Sequence, residues 1–151
     1  MTNESKILDS LSWKILVELQ KNARISYKEI GDKIGLTGPA VAERILKLEE
    51  SGIIKGYYAK IDLRKIGYSL TAIVNFKFLP GNLDRFLNHL KSIPEVLECN
   101  RITGSDSMVI KVAIKEPKHL EQLVNGFIEF GTPTTSIVLS TPIENQIITG
   151  S

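Results

Sequence analysis

Residues 26–58, SYKEIGDKIGLTGPAVAERILKLEESGIIKGYY, determine the fold of the first half of the chain. Ser26 and Glu29 have the spacing of a capping box, which predicts that a helix begins just after the serine. Gly35 is expected to end that helix. Thr37 then provides an N-cap for a second helix. The stretch therefore predicts two short helices joined by a tight turn.

The second of these helices has one apolar side and one exposed side. Val41, Ile45 and Leu48 recur every three or four positions, so they form a buried stripe. The other side carries small residues at its start and cations further along. Such a helix fits the DNA major groove, so we interpret the pair as a DNA-binding helix-turn-helix. The alternative is an ordinary core helix with a solvated charged face.

The predicted DNA contacts lie on this helix and on its flanks. Its start is expected to lie nearest the base edges, where thymine methyls and DNA shape would be read, which predicts a degenerate, A/T-leaning operator. Arg44 is expected near a phosphate, although it can equally pair with Glu43 or Glu49. For the cations outside the helix, the alternative is that they only keep the surface soluble. The predicted DNA-binding residues are Arg24, Lys28, Thr37, Gly38, Pro39, Ala40, Glu43, Arg44, Lys47 and Lys55.

Further elements flank the helix-turn-helix. Before it, leucine and isoleucine repeat with helical period, and Asp9 or Ser10 can cap the helix that they predict. After it, Ile53–Ile61 has strand character that Gly56 interrupts, which predicts a two-stranded wing. We therefore assign residues 1–62 to a winged helix-turn-helix domain.

The rest of the chain alternates strand and helix patterns. Residues 63–68 are assigned to a linker and residues 69–151 to a second domain. Its order is strand, helix, strand, strand, helix, strand, which is the ferredoxin-like βαββαβ plan, so the fold class of the chain is α+β. The strands are expected near residues 70–78, 96–103, 108–115 and 135–141.

One face of such a sheet carries both helices, and the other face is left bare. Apolar residues occur at both alternating positions of the strands, as in Ala72-Ile73-Val74. Because a small domain rarely exposes so much apolar sheet, we predict that a second copy covers it in a two-fold dimer. The alternative is that the extra apolar residues are scattered surface hydrophobes.

Composition restricts the class of protein. The chain has 151 residues, of which 42% are hydrophobic and 24% charged, as in ordinary globular proteins. It has no apolar run near the roughly 20 residues of a membrane span and no signal-peptide pattern at its start, so we expect a cytoplasmic protein without membrane contact. Cys99 is the only cysteine, and His89 and His119 share no ligand spacing. No metal site, cofactor or catalytic residue is therefore predicted.

Charge is unevenly divided along the chain. Residues 1–67 contain 12 of the 19 Lys and Arg residues but only 9 of the 17 Asp and Glu residues. The positive bias therefore falls on the half with the helix-turn-helix, where a phosphate backbone would favour it.

Four stretches, distributed along the chain from residue 8 to residue 140, follow one known pattern. They are LDSLSWKILVELQKNARISYKEIGDKIGLTGPAVAERILKLEESGIIKGYYAKID (8–62), KIGY (65–68), RITGSDSMVIKV (101–112) and GTPTTSIVLS (131–140). On these residues the chain resembles the Lrp/AsnC family of bacterial and archaeal regulators. The resemblance implies a winged helix-turn-helix joined to a ligand-sensing ferredoxin-like domain. It also implies homodimers, often assembled into octamers, and control of transcription by a small effector, commonly an amino acid.

Three positions depart from the family pattern. Ser12 stands where the family often has Asp. Gly31 replaces the usual Ala, which is expected to loosen its helix by about 1 kcal/mol. In the loop after the second strand, the family has Gly, two variable residues and then frequently Asp. Here the acid is Asp106, one residue early, and Ser107 takes its place.

The resemblance also implies where an effector would bind. Backbone N–H groups and the hydroxyls of Ser105 and Ser107 would hold its carboxylate, and Asp106 would face its ammonium group. The last strand of a neighbouring subunit would add polar contacts. The alternative is that the loop is only a hairpin turn. The predicted effector-binding residues are Gly104, Ser105, Asp106, Ser107, Met108, Thr134, Thr135 and Ser136.

Three functional hypotheses follow. The first is a transcriptional regulator that binds double-stranded DNA and is controlled by a small molecule. The second is an effector-independent architectural protein that bends or wraps DNA. The third is an enzyme, because some proteins that resemble this family decarboxylate haem precursors. We predict no enzymatic activity, since the sequence has no convergent acid–base constellation.

Overall fold

The computed structural model describes residues 7–150. It contains two compact units. The N-terminal unit comprises the chain up to Lys60 together with the segment that starts at Ile143, and the C-terminal unit comprises Ile61–Pro142. Within the described residues, no helix is long and apolar enough to cross a membrane.

Three helices form the body of the N-terminal unit: α1 (Ser10–Lys21), α2 (Tyr27–Ile34) and α3 (Gly38–Glu50). The predicted caps are confirmed: Asp9 caps α1, Ser26 and Glu29 form the capping box of α2, and Thr37 caps α3. Glu18 ties α1 to α2 through Lys33. The helices enclose one apolar core, whose buried residues are Ile15, Leu19, Ile30, Val41, Ile45 and Leu48.

The turn between α2 and α3 packs directly on Gly31. Gly35 ends α2 in the left-handed conformation, with φ +77°. The N–H groups of Gly35 and Leu36 both donate to the Gly31 carbonyl, at 2.9 Å each. A Cβ atom at Gly31 would lie 2.3 Å from the Leu36 carbonyl oxygen. Gly31 therefore permits a close backbone approach, which the prediction of a loosened helix did not include.

The predicted strand at Ile53–Ile61 is wrong. Turns and bends occupy residues 51–54, and residues 55–62 have no regular secondary structure. The Ile54 N–H donates to Leu48 O at 3.0 Å, and the Tyr57 hydroxyl donates to Glu49 Oε1 at 2.9 Å. These contacts attach the segment to the end of α3. Within the described residues it pairs with no other strand.

The C-terminal unit begins with a 3₁₀ turn (Leu63–Ile66) and continues in the predicted βαββαβ order. The sheet is antiparallel with strand order β2-β3-β1-β4, which confirms the ferredoxin-like plan. The last strand lies about four residues earlier than predicted, because Gly131 and Pro133 already pair with β1. The elements are β1 (Leu70–Phe78), α4 (Leu83–Lys91), β2 (Val96–Arg101), β3 (Met108–Ile114), α5 (Pro117–Asn125) and β4 (Gly131–Ile137).

The two faces of the sheet differ in chemistry. The inner face packs against α4 and α5 around Phe76, whose ring stacks on Phe86 with centroids 4.2 Å apart. Directly paired residues share a face, so the register assigns the outer face. That face is largely polar rather than largely apolar as predicted, because among its paired residues only Ile73, Val109 and Ala113 are apolar. The polar outer-face residues are Thr71, Asn75, Lys77, Glu98, Asn100, Lys111, Thr132, Thr134 and Ser136.

Candidate nucleic-acid and effector sites

The outward side of α3 is partly exposed: Thr37, Pro39, Glu43 and Lys47 are exposed, whereas Gly38, Ala40 and Arg44 are half-buried. Thr37 Oγ1 accepts from the Ala40 N–H at 3.4 Å, which caps the helix. The small residues Gly38, Pro39 and Ala40 therefore form its first turn. Thirteen residues give a helix about 20 Å long, which fits a major groove about 12 Å wide. The structure adds Leu46, whose side chain is 52% exposed. Sequence reasoning missed it, although a leucine outside the buried stripe was the available signal.

The start of α2 lies beside the start of α3. A Cβ atom at Gly38 would lie 3.6 Å from the Lys28 backbone nitrogen. Two helix N-termini, each a region of partial positive charge, are therefore neighbours, which favours an anionic partner such as phosphate. The Lys28 ammonium is exposed and lies 3.8 Å from Asp32.

Arg44 pairs with the cap of α1, and not with either predicted acidic partner. Its Nη1 donates to both Asp9 carboxylate oxygens, at 2.9 and 2.8 Å, and to Ser12 Oγ at 3.2 Å. Hydrogen bonding from the Ser12 backbone, with further bonds from Ser12 and Arg44, lowers the pKa of Asp9, so its carboxylate is charged at neutral pH. Ser12, which departs from the family pattern, thus joins this network as a neutral acceptor.

The other cations near α3 are more accessible. Within residues 7–150, Lys47 pairs only with Glu43, one helical turn away on the exposed surface, at 2.7 Å. Arg24 and Lys55 are exposed and form no ion pair with the described residues 7–150. Next to Lys55, burial and the hydrogen bond to Glu49 raise the pKa of Tyr57 to about 12, so its hydroxyl remains a donor.

The different contacts of Arg44 and Lys47 give different expected responses to salt. Lys47→Ala should lower the slope of log affinity for DNA against log salt by about 0.9, since one phosphate contact is lost. Arg44→Ala should leave that slope unchanged and destabilise the N-terminal unit, because it leaves Asp9 without its partner. Fluorescence anisotropy with a labelled duplex at several salt concentrations, with urea unfolding in parallel, measures both. Equal slopes for Lys47→Ala and the wild type would remove Lys47 from the interface.

The predicted effector loop is only partly available for ligand contacts. The Ser107 N–H donates to Phe76 O at 2.9 Å, and Ser107 O accepts from the Ile102 N–H at 3.1 Å. The Met108 side chain is fully buried in the core. The backbone of Gly104, Ser105 and Asp106 makes no hydrogen bond within the described chain, so these N–H groups and the serine hydroxyls remain for a ligand.

The predicted effector residues of β4 lie on two faces of the sheet. Thr134 pairs with Asn75 and Ser136 with Ile73 on the outer face, whereas Thr135 pairs with Val74 on the inner face. Since β1 separates β3 from β4, Thr134 and Val109 of one chain lie about 10 Å apart, two strand spacings. Asn75 lies between them and was missed by sequence reasoning. The sequence signal that could have identified Asn75 is a polar residue at an outward position of an otherwise apolar strand.

In the described part of the chain, the remaining reactive side chains form no further site. Among residues 7–150, no group of three His, Cys, Asp or Glu residues could hold a metal ion. Burial raises the pKa of the Cys99 thiol, which lowers its reactivity. His119 lies near Glu95, with 3.6 Å between Nε2 and Oε1, and His89 packs against the rings of Phe127 and Phe130.

Comparison with known proteins agrees with this architecture. Residues 8–55 match the model for a winged helix-turn-helix DNA-binding domain, and residues 71–148 match the model for the Lrp/AsnC ligand binding domain. The regulator LrpB of Bacillus subtilis is 40% identical over 124 residues, which span 82% of this chain and 83% of LrpB.

Solved structures show the same fold. B. subtilis LrpC has a TM-score of 0.87 at 30% identity, covering 92% of this chain and 99% of LrpC. The Mycobacterium tuberculosis leucine response regulatory protein has a TM-score of 0.80 at 27% identity, covering 95% of this chain and all of that one (100%). A winged helix-turn-helix joined to a ligand-binding domain defines a DNA-binding transcriptional regulator. The chain belongs to the Lrp/AsnC family of such regulators.

Proposed function

We propose that this regulator responds to an amino acid bound on the outer face of its C-terminal sheet. The outer-face pair of Asn75 and Thr134, with Ser107 just beyond the Phe76–Met108 pair, carries this proposal, because an α-amino acid needs both donors and acceptors within a short span. The free N–H groups of residues 104–106 suit a carboxylate, and Asp106 suits an ammonium group. The M. tuberculosis relative is itself named for a response to leucine.

We also propose that two copies pack through this outer face. Its position supports the proposal, since the inner face is already covered by α4 and α5 and the outer face is not. In such a dimer, Thr134 and Ser136 of one copy would meet the 104–107 loop of the other, so the effector would bind at a subunit interface. Dimers would then assemble further into octamers. Sedimentation of the full chain as a monomer at micromolar concentration would contradict this arrangement.

We assign DNA contact to the outward side of α3 and to its flanks. The protein is proposed to act in the cytoplasm. Thr37, Gly38, Pro39 and Ala40 approach the bases, and Glu43 can accept a hydrogen bond from a cytosine amino group. The remaining cations, Arg24, Lys28, Lys47 and Lys55, would contact phosphates. Arg44 instead positions α3 through Asp9. A gel shift of the upstream region of the protein's own gene, with and without each L-amino acid, tests both regulator and effector.

A matched pair of threonines tests the effector site. Thr134→Val removes a hydroxyl from the outer face with almost no change of shape, and we expect it to weaken amino-acid binding about tenfold, the cost of one unmade hydrogen bond. Thr135→Val makes the same change on the inner face and should leave the affinity as in the wild type. Calorimetric titration with the full set of L-amino acids measures both. Equal effects of the two substitutions, or no heat with any amino acid, would contradict the proposed site.

A further inference from the structure

Trp13, the only tryptophan of the chain, belongs to neither proposed site. It lies on α1, and the end of the chain packs against it within the N-terminal unit. A Cβ atom at Gly150 would lie only 2.6 Å from Trp13 Cγ, so the glycine backbone lies directly against the indole ring. A bulkier residue could not take this position without moving the segment or the ring.

Gln20 holds the same segment two turns further along α1. Its Oε1 accepts from the Ile148 N–H at 2.9 Å, and its Nε2 donates to the Ile148 carbonyl at 2.9 Å. One side-chain amide therefore satisfies both main-chain groups of one residue, as a neighbouring strand would. Because Trp13, Leu16 and Gln20 are spaced by three and four positions, they form one face of α1.

Two further contacts extend this attachment. Lys60 Nζ donates to Glu144 Oε2 at 2.6 Å. This bond joins the beginning of the 143–150 segment to Lys60, where the first part of the N-terminal unit ends. Asn145 and Ile148 also line a groove of about 900 Å³, whose apolar wall includes Leu16 and Ile54. Residues 143–150, which we call the tail, thus contact α1 and the 53–60 segment without forming a helix or strand.

The tail also gives the N-terminal unit a second connection along the chain. The first runs through residues 60 and 61, where the two units join. The second runs from β4, which carries Thr134 and Ser136, through residues 138–142 into the tail. A unit held at two points has less freedom than one on a single linker, and restricted tethers raise the effective concentration of a second binding event.

We propose that the Trp13–Leu16–Gln20 face of α1 is a docking surface for the chain's own tail, and that docking holds the DNA-binding unit so that two copies bind one DNA fragment jointly. The second part rests on the regulator function and the dimer proposed above. The segment that binds this surface places Gly150 at the Trp13 ring and the main-chain groups of Ile148 at the Gln20 amide.

Trp13 fluorescence in the full-length chain reports docking directly. Gly150→Val should raise acrylamide quenching of Trp13, because the side chain displaces the tail from the ring. Gln20→Met, which keeps length and helix propensity but removes both hydrogen bonds, should do the same. Thr149→Val adds no atom against the ring and should quench as the wild type does. Identical quenching in all four proteins would overturn the docking.

The same proteins test the role of docking in DNA binding. With a duplex of the gene's own upstream region, Gly150→Val and Gln20→Met should bind about tenfold more weakly than the wild type and Thr149→Val, because joint binding loses effective concentration. Raised quenching with unchanged DNA affinity would overturn the proposed role. If the wild type itself fails to bind DNA at low ionic strength, the regulator function fails, and the quenching comparison still decides whether the tail docks.

Discussion

Replacing Gly131 with alanine is expected to destabilise the C-terminal unit by about 3 kcal/mol, the upper range for forcing extra atoms into a packed site. Gly131 is buried at the start of β4, opposite Phe78 of β1. A Cβ atom there would lie 2.2 Å from Lys77 O and 2.7 Å from Phe78 Cα. Backbone atoms cannot rotate away, so the β1–β4 ladder itself has to move.

Gly126→Ala is the matched control for this substitution. Gly126 lies in the same unit in a right-handed helical conformation, with φ −66°. The atom nearest to an added Cβ there would be Leu123 O, at 3.3 Å. Alanine there should change stability by less than about 1 kcal/mol. Urea unfolding followed by far-UV circular dichroism measures both. Similar midpoints for the two variants would contradict the close approach of β4 to β1.

Ala40→Glu is expected to reduce DNA affinity about a hundredfold, or about 2.7 kcal/mol, without unfolding the protein. Ala40 is the third residue of α3 after its cap Thr37, so glutamate would complete the same capping box that Ser26 and Glu29 form on α2. The helix should therefore be at least as stable as before. The loss of affinity would come from a carboxylate placed against phosphates and base edges.

Ala40→Gln separates charge from shape. Glutamine has the same size and the same capping ability but no charge. It should bind DNA within a few-fold of the wild type in anisotropy titrations at low salt, whereas Ala40→Glu should not. If the two variants bind equally, the start of α3 does not face DNA. A circular dichroism melt of each variant confirms that both remain folded.

Local signals in the sequence were enough to predict most of the fold. The caps at Asp9, Ser26 and Thr37 and the stop at Gly35 depend on residues close in sequence, and each forms as predicted. The βαββαβ order followed in the same way from alternation and helical periodicity. Such features are determined by neighbours within one turn or one strand.

Features that depend on distant residues were not predictable in this way. The Ile53–Ile61 segment has strand composition, but its Tyr57 hydroxyl is bound by Glu49 and no strand forms. Arg44 pairs with Asp9, 35 positions earlier, so the nearer acids misled the prediction. Asn75 and the tail contacts of Gln20 likewise arise from register and packing, which no local pattern encodes.

Hydrogen exchange of the full chain, with and without its own upstream duplex at low ionic strength, tests the central claim most directly. If the outward side of α3 binds DNA, peptides spanning residues 37–47 gain protection when the duplex is added, and strands β1 and β3 of the C-terminal unit do not. Protection confined to the C-terminal unit, or no change anywhere, would contradict the assignment of α3 as the DNA-binding helix.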